Sequence, residues 1–160
     1  MKIRRATAGD IPSMMTLARA SATAAHWTEQ QYREMLSPAV TAHRAALVAE
    51  ASPEPVSTAP AKSLNLLGFL VARLLAPECE LENIVVSPAA RRRGIGKQLL
   101  KSLLLAVRET NVDSVFLEVR ESNHSARAFY ENAGFKLHGR RKSYYSNPPE
   151  NAVSYRLMVR

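Results

Sequence analysis

Ten residues, Arg91-Arg92-Arg93-Gly94-Ile95-Gly96-Lys97-Gln98-Leu99-Leu100, sit between a strand-like segment and a helix-like one. They confine the chain to folds that set a basic, glycine-bearing turn at the start of a helix. The segment Leu81 to Val86 ends in the apolar run Ile84-Val85-Val86 and is closed by Ser87-Pro88, which predicts a buried strand stopped by a breaker. From Ile95 onward, Ile95, Leu99, Leu103 and Val107 recur every four positions with Leu100 and Leu104 beside them, which predicts an amphipathic helix. Gly94 and Gly96 then fall at its N-terminus. Their bare backbone lets unpaired amides close on phosphate oxygens, and the partial positive charge of the helix end adds to Arg91, Arg92, Arg93 and Lys97. A polyanion site is expected. It is neither of two familiar phosphate loops: the third glycine of a dinucleotide fingerprint is missing, and so is the Gly-Lys-Ser/Thr ending of a nucleoside-triphosphate loop.

The downstream chain supplies candidate chemistry. In Ser114-Val115-Phe116-Leu117-Glu118-Val119-Arg120 the apolar Val115, Leu117 and Val119 alternate with Phe116, Glu118 and Arg120, so a strand carrying a carboxylate is expected. Ala126, Phe129, Tyr130 and Ala133 follow at helical spacing, opened by Ser122 and Asn123 as capping residues and stopped by Gly134. The pattern Arg-x-x-Gly-x-Gly before a helix resembles the coenzyme A pyrophosphate loop of the GNAT acetyltransferase superfamily. The string Leu117-Glu118-Val119-Arg120, Asn123, Ala126, Tyr130, Gly134, Phe135 resembles the second half of a GNAT domain. Within the superfamily the likeness is to the RimI-type ribosomal-protein alanine N-acetyltransferases, down to the basic, tyrosine-rich Arg140-Arg141-Lys142-Ser143-Tyr144-Tyr145. It extends from about Leu81 to Val159. Two departures concern the acceptor side: Ser146 and Asn151 stand where relatives often show proline and aspartate, and the first half carries an unusual insertion.

The resemblance implies a GNAT fold, an α/β domain with a central mixed, mostly antiparallel sheet that holds a parallel splayed strand pair and is flanked by helices. It implies acetyl-CoA as co-substrate, held by Ile84, Val85, Val86, Arg91, Arg92, Arg93, Gly94, Ile95, Gly96, Lys97 and Asn123, with the Val86 amide as oxyanion donor and no metal. Glu118 matches the family's general base and Tyr130 its general acid; Tyr144 and Tyr145, in a loop before the last strand, would wall the acceptor peptide. Each has a plainer alternative: a half-exposed strand residue for Glu118, a core aromatic for Tyr130 beside a Phe129 that can serve the core alone, a helix cap for Asn123, hairpin aromatics for the tyrosines. The acceptor implied is the terminal α-amine of a protein, the N-terminal alanine of a small-subunit ribosomal protein; lysine side chains, small amines and a non-catalytic coenzyme- or ribosome-binding module are the competing readings. A terminal amine has a pKa near 7.7 to 8.0 against about 10.4 for lysine, so removing its proton is easier by roughly 3.5 kcal/mol.

At 160 residues the chain suits one domain, 1–160, burying roughly two-thirds of its unfolded surface. Its single cysteine, Cys79, has no internal partner and no obvious histidine beside it, which argues for a reducing, cytoplasmic setting and against a covalent acyl-cysteine route. The histidines, His26, His43, His124 and His138, form no ligand pattern. No apolar leader or membrane-length stretch is evident. The net charge of +8 suits a polyanionic partner, but basic residues interleave with aromatics only at Arg140 to Tyr145, so direct nucleic-acid recognition is not expected. A monomer is the default. Lys2 to Ala6 predicts a strand, Asp10 caps a helix with Ile11, Met14, Met15 and Ala18 on one face, and Thr28 with Gln31 forms a capping box for a helix that Pro38 ends. Ala45 to Glu50 and Leu66 to Leu75 predict two meander strands joined by the Pro/Ser-rich loop 52–63, expected to be solvated and flexible.

Overall fold

The computed structural model describes residues 1–40, 43–52 and 66–160. In chain order the elements are β1 (Lys2–Arg5), α1 (Ile11–Arg19), α2 (Glu29–Met35), β2 (Arg44–Glu50), β3 (Leu66–Leu75), β4 (Glu78–Val86), α3 (Ile95–Arg108), β5 (Ser114–Arg120), α4 (His124–Asn132), β6 (Lys136–Ser146) and β7 (Pro149–Met158). The strands make one sheet in the order β1-β2-β3-β4-β5-β7-β6. Every neighbouring pair is antiparallel except β4 with β5, which is parallel. The α/β class and the mixed, mostly antiparallel sheet are those expected. Of the loop expected over 52–63, all but Ser52 lies outside the described residues.

Local chemistry sets the helix starts. Thr28 accepts from the Gln31 N–H (3.2 Å) while the Gln31 side chain accepts from the Thr28 N–H (2.8 Å), closing the capping box before α2. Asp10 does not cap α1 with its side chain; it reaches back to the Thr7 N–H (2.7 Å) and takes both guanidinium nitrogens of Arg4 (2.8 and 2.9 Å). That pins β1 to the start of α1. On α3 the four-residue stripe is buried as its spacing requires: Ile95, Leu99, Leu103 and Val107 are all within 3% of full burial. They form, with Leu70, Val115, Leu117, Tyr130 and Tyr155, a core on the α3/α4 face of the sheet, while Ile11, Met14, Tyr32, Phe69 and Val85 form a second core on the α1/α2 face.

A bulge in β4 organises the centre of the sheet. Its register with β3 jumps from Ala72 opposite Leu81 to Val71 opposite Asn83, leaving Glu82 as the extra residue. Before the bulge Cys79 and Leu81 pack on the α3/α4 side; after it Val85 turns to the α1/α2 core, and Ile84 and Val86 lean on the α3/α4 core only half-buried. The Ile84-Val85-Val86 run expected to be buried throughout therefore alternates. Arg44 and Arg73 hold the Glu82 carboxylate in place.

The parallel pairing is short. It joins Glu78 to Ser114, Cys79 to Val115 and Glu80 to Phe116, and then stops. β4 continues along β3 as far as Val86 opposite Gly68, and β5 continues along β7 as far as Arg120 opposite Ala152, so residues 81–86 and 117–120 diverge with no strand between them. This is the expected splay. Gly68 is required on its flank: a Cβ there would lie 2.6 Å from the Val85 carbonyl oxygen.

Candidate active site

The residues expected to hold the coenzyme sit where the splay meets α3. Ser87 donates its N–H to the Leu67 carbonyl (2.8 Å), and by antiparallel alternation the backbone groups of Val85 also face β3, whereas those of Ile84 and Val86 face into the splay. Val85, expected with Ile84 and Val86 on the coenzyme side, has its side chain in the α1/α2 core and its backbone groups toward β3. Past Val86, Arg92 (φ 60°) and Gly94 (φ 77°) are left-handed. Alternating them with ordinary residues turns successive N–H groups toward one concavity, an anion nest that runs into the first turn of α3. The first intrahelical bond of α3 is from the Gln98 N–H to the Gly94 carbonyl (3.0 Å), so the amides of Ile95, Gly96 and Lys97 precede the helical ladder. The side chains of Arg91, Arg92, Arg93 and Lys97 stand in solvent, and among the described residues none makes an ion pair; Ile95 is buried and contributes only its amide.

Gly96 brings three site elements together. A Cβ built on it would lie 3.5 Å from the Phe129 ring of α4 and 3.7 Å from Val86 of β4. Beside Phe129, Tyr130 packs edge-on to both Phe129 (5.2 Å) and Phe135 (5.7 Å). The helix buries Tyr130 (7% exposed) more deeply than Phe129, so Tyr130 also packs in the core beside Phe129. Burial raises its phenol well above the ordinary value, with Tyr145 adding to the shift, so the hydroxyl keeps its proton at neutral pH. Asn123 accepts from the Ala126 N–H (3.1 Å), which makes it the N-cap of α4 and leaves its amide nitrogen for any further contact. The Cys79 thiol is buried and pushed up to about 12, chiefly by desolvation and then by Glu80 and Glu82, so it supplies no thiolate.

Glu118 lies across the sheet from Tyr130. Val115, Leu117 and Val119 belong to the core that contains Tyr130, so the alternation of β5 turns Glu118 to the opposite face. The splay is the opening between the two. There the Glu118 carboxylate meets Arg141 of β6, whose Nη1 is 3.0 Å from Oε1 and 3.3 Å from Oε2. Tyr144 stacks under the Arg141 guanidinium (4.2 Å to the ring centre) and Tyr145 under that of Arg120 (4.1 Å), the two rings being edge-on at 5.1 Å. Both phenols are raised: Tyr144 mainly by its hydrogen bond to Glu118, Tyr145 mainly by burial. The tyrosines are in β6, not in the loop expected before the last strand. Ser143 (φ 53°) bulges out and donates its N–H to Asn151 Oδ1 (2.9 Å), which returns the chain to register so that Tyr145 pairs with Glu150.

Sequence reasoning did not find the ionic frame of this mouth. Glu150 takes Arg120 (3.3 Å) and the Ser122 N–H (2.6 Å); Glu121 takes Arg140 (2.8 Å) and the Asn151 amide (3.0 Å). On the α1/α2 side, Asn83 donates to the Ala25 carbonyl (3.2 Å), tying β4 to the segment between the two helices. The basic run at 140–142 is the one visible signal; the carboxylate partners of Arg140 and Arg141 are 19 and 23 residues away and carry no local pattern.

A mixed sheet opened between two parallel strands, with an anion nest at its edge, is the architecture of a large group of acyl-group transferases, and the chain belongs to one of its families. The model of the acetyltransferase (GNAT) family matches residues 11–135. Over 92 residues the chain is 42% identical to the [ribosomal protein bS18]-alanine N-acetyltransferase of Haemophilus influenzae, covering 56% of this chain and 62% of that protein, so the match spans less than two thirds of the relative's length. Among solved structures, the ribosomal-protein-S18-alanine N-acetyltransferase of Escherichia coli superposes with a TM-score of 0.77 at 23% identity, covering 99% of this chain and 93% of that one. The NAA60 protein of Arabidopsis thaliana in complex with acetyl-CoA superposes with a TM-score of 0.84 at 15% identity, covering 98% and 97%.

Proposed function

We propose that the chain uses acetyl-CoA to acetylate the terminal α-amine of a protein, the N-terminal alanine of a small-subunit ribosomal protein, in the cytoplasm. The observation that carries this reading is the splay itself, with Tyr130 on one face, Glu118 on the other and, at one end, four cations that make no ion pair among the described residues. The residues fit an elongated, phosphate-bearing thioester. The nest at Arg92 to Lys97 would take the pyrophosphate, with Arg91, Arg92 and Arg93 around it, and the backbone groups of Ile84 and Val86 would pair with the amides of the pantetheine arm in place of the missing strand. Asn123 would add a contact through its free amide. When bound, the thioester supplies an activated acetyl group.

The chain's own groups do the rest. Glu118, directly or through water, takes the proton that the attacking amine must lose; the Val86 N–H donates to the thioester oxygen as charge develops there; and Tyr130, kept protonated by its burial, gives its proton to the departing sulfur. Tyr144 and Tyr145 flank the route by which a peptide terminus reaches Glu118. The similarity to a bS18-alanine N-acetyltransferase supports a ribosomal acceptor.

The test is to incubate the protein with acetyl-CoA and unacetylated small-subunit ribosomal proteins and to map the products by mass spectrometry. Acetyl on an N-terminal alanine is the expected result. Acetyl on lysine alone would move the acceptor to side chains, and no transfer to any protein would leave a small amine or a non-catalytic binder.

A further inference from the structure

An isolated carboxylate is a poor companion for an amine that must lose a proton, because it stabilises the ammonium form and raises the amine's pKa. Glu118 is not isolated. The Arg141 guanidinium lies 3.0 and 3.3 Å from its two oxygens and rests on the Tyr144 ring (4.2 Å), which fixes its orientation. The surrounding charged groups are committed elsewhere. On β4 Glu80 is bonded to Arg73; on β5 Arg120 is bonded to Glu150 of β7 and covers the Tyr145 ring; beyond β5 Glu121 is bonded to Arg140. Among the described residues, Arg141 is thus the cation that pairs with Glu118.

We propose that Arg141 is a positioning residue that sets the charge state of the acceptor: by balancing Glu118 it prevents the mouth from holding the amine as an ammonium, and so selects a terminal α-amine over the more basic lysine side chain. The inference rests on the function proposed above. In the transfer the N–C bond forms and the C–S bond breaks, the amine proton passes to Glu118, and the Tyr130 proton passes to sulfur. Arg141 exchanges no proton, since its guanidinium is held protonated, first by its hydrogen bond to Glu118. A terminal amine, deprotonated near pH 8, gives up its charge at little cost beside that cation. Lysine does so only some 2.5 pH units higher, and remains repelled.

The experiment compares the unaltered protein with Arg141→Gln and Arg141→Lys. A peptide beginning with alanine labelled with 15N at its α-nitrogen is bound together with CoA, which carries no acetyl group, and the 15N resonance is followed against pH. The amine should titrate about one pH unit higher in Arg141→Gln than in the unaltered protein, the low end of the effect of a neighbouring charge. In turnover assays with acetyl-CoA near pH 7, Arg141→Gln should lower kcat about tenfold with KM for the peptide unchanged or smaller, and should narrow the preference for a free terminus over lysine. Arg141→Lys, which keeps the charge, should restore both the titration and the rate to within about threefold. An unchanged amine titration in Arg141→Gln, or an Arg141→Lys protein as impaired as Arg141→Gln, overturns the proposal while leaving the acceptor reading intact. An unaltered protein that neither binds nor acetylates the alanine peptide overturns both.

Discussion

The two ends of the splay handle positive charge in opposite ways. At the coenzyme end Arg91, Arg92, Arg93 and Lys97 stand without carboxylate partners among the described residues; from Asn83 to Arg108 the chain has no acidic residue. At the acceptor end Arg120, Arg140 and Arg141 are each matched to a glutamate, at 3.3, 2.8 and 3.0 Å. Unpaired cations in a nest wait for a polyanion and are balanced when it binds. Paired cations instead build a near-neutral, shaped mouth, in which, under the proposed function, a single carboxylate would act on an uncharged nucleophile. One surface is designed for affinity, the other for geometry, and the largest perturbations should separate them.

The greatest effect is expected where the two ends meet. Tyr130→Phe or Glu118→Gln should lower kcat by about a hundredfold or more, the range for losing a general acid or base, with KM for acetyl-CoA changed less than about threefold. A parallel loss of coenzyme affinity would make them structural residues. Next, replacing Arg91, Arg92 and Arg93 together by Ala should raise KM for acetyl-CoA by about tenfold or more, and the KM of the unaltered protein should climb with salt as exposed charges are screened. Arg140→Ala should leave the acetyl-CoA KM within about twofold and act on the acceptor peptide alone; equal effects of the two changes on coenzyme binding would erase the contrast.

Smaller effects test the frame. Gly68→Ala drives a methyl to 2.6 Å from the Val85 carbonyl oxygen, so it should cost about 1–3 kcal/mol, read as a lowered Tm, and should impair acetyl-CoA binding through a displaced β4. The smallest concerns Asp10, remote from both ends. Burial opposes its charge, but the hydrogen bonds from Arg4 and Thr7 prevail and hold the carboxyl below its ordinary value. Its contribution to stability is therefore complete above the ordinary aspartate range near pH 4 and is lost as pH falls through the lower folded value. Asp10→Asn should lower Tm near neutrality and flatten the fall of Tm below about pH 4.

The same contrast explains what could be read from the chain alone. The coenzyme end is a contiguous run: glycines, arginines and a four-residue apolar stripe lie within about twenty positions, and local rules suffice to place them. Tyr130 and Glu118 stand out in the sequence only as single letters in a matched string. The acceptor-side frame is assembled from β5, β6 and β7, and its partners are fixed by a bulge at Ser143 that sequence spacing does not announce; this is why Tyr144 and Tyr145 are expected in a loop and why the contact of Arg141 with Glu118 is not legible in the sequence. The bulge at Glu82 hid likewise within a run of apolar letters, so that Val85 was grouped with Ile84 and Val86 although its backbone faces β3.

Selectivity for a terminal α-amine is tested most directly by thiol release from acetyl-CoA with two peptides of one sequence, one beginning with a free alanine and lacking lysine, the other blocked at its terminus and carrying a lysine. Rapid release is expected with the free terminus and little above background with the blocked peptide. Equal or greater release with the blocked peptide would contradict that selectivity, because a mouth arranged to accept an amine already near neutrality would then be serving the more basic one.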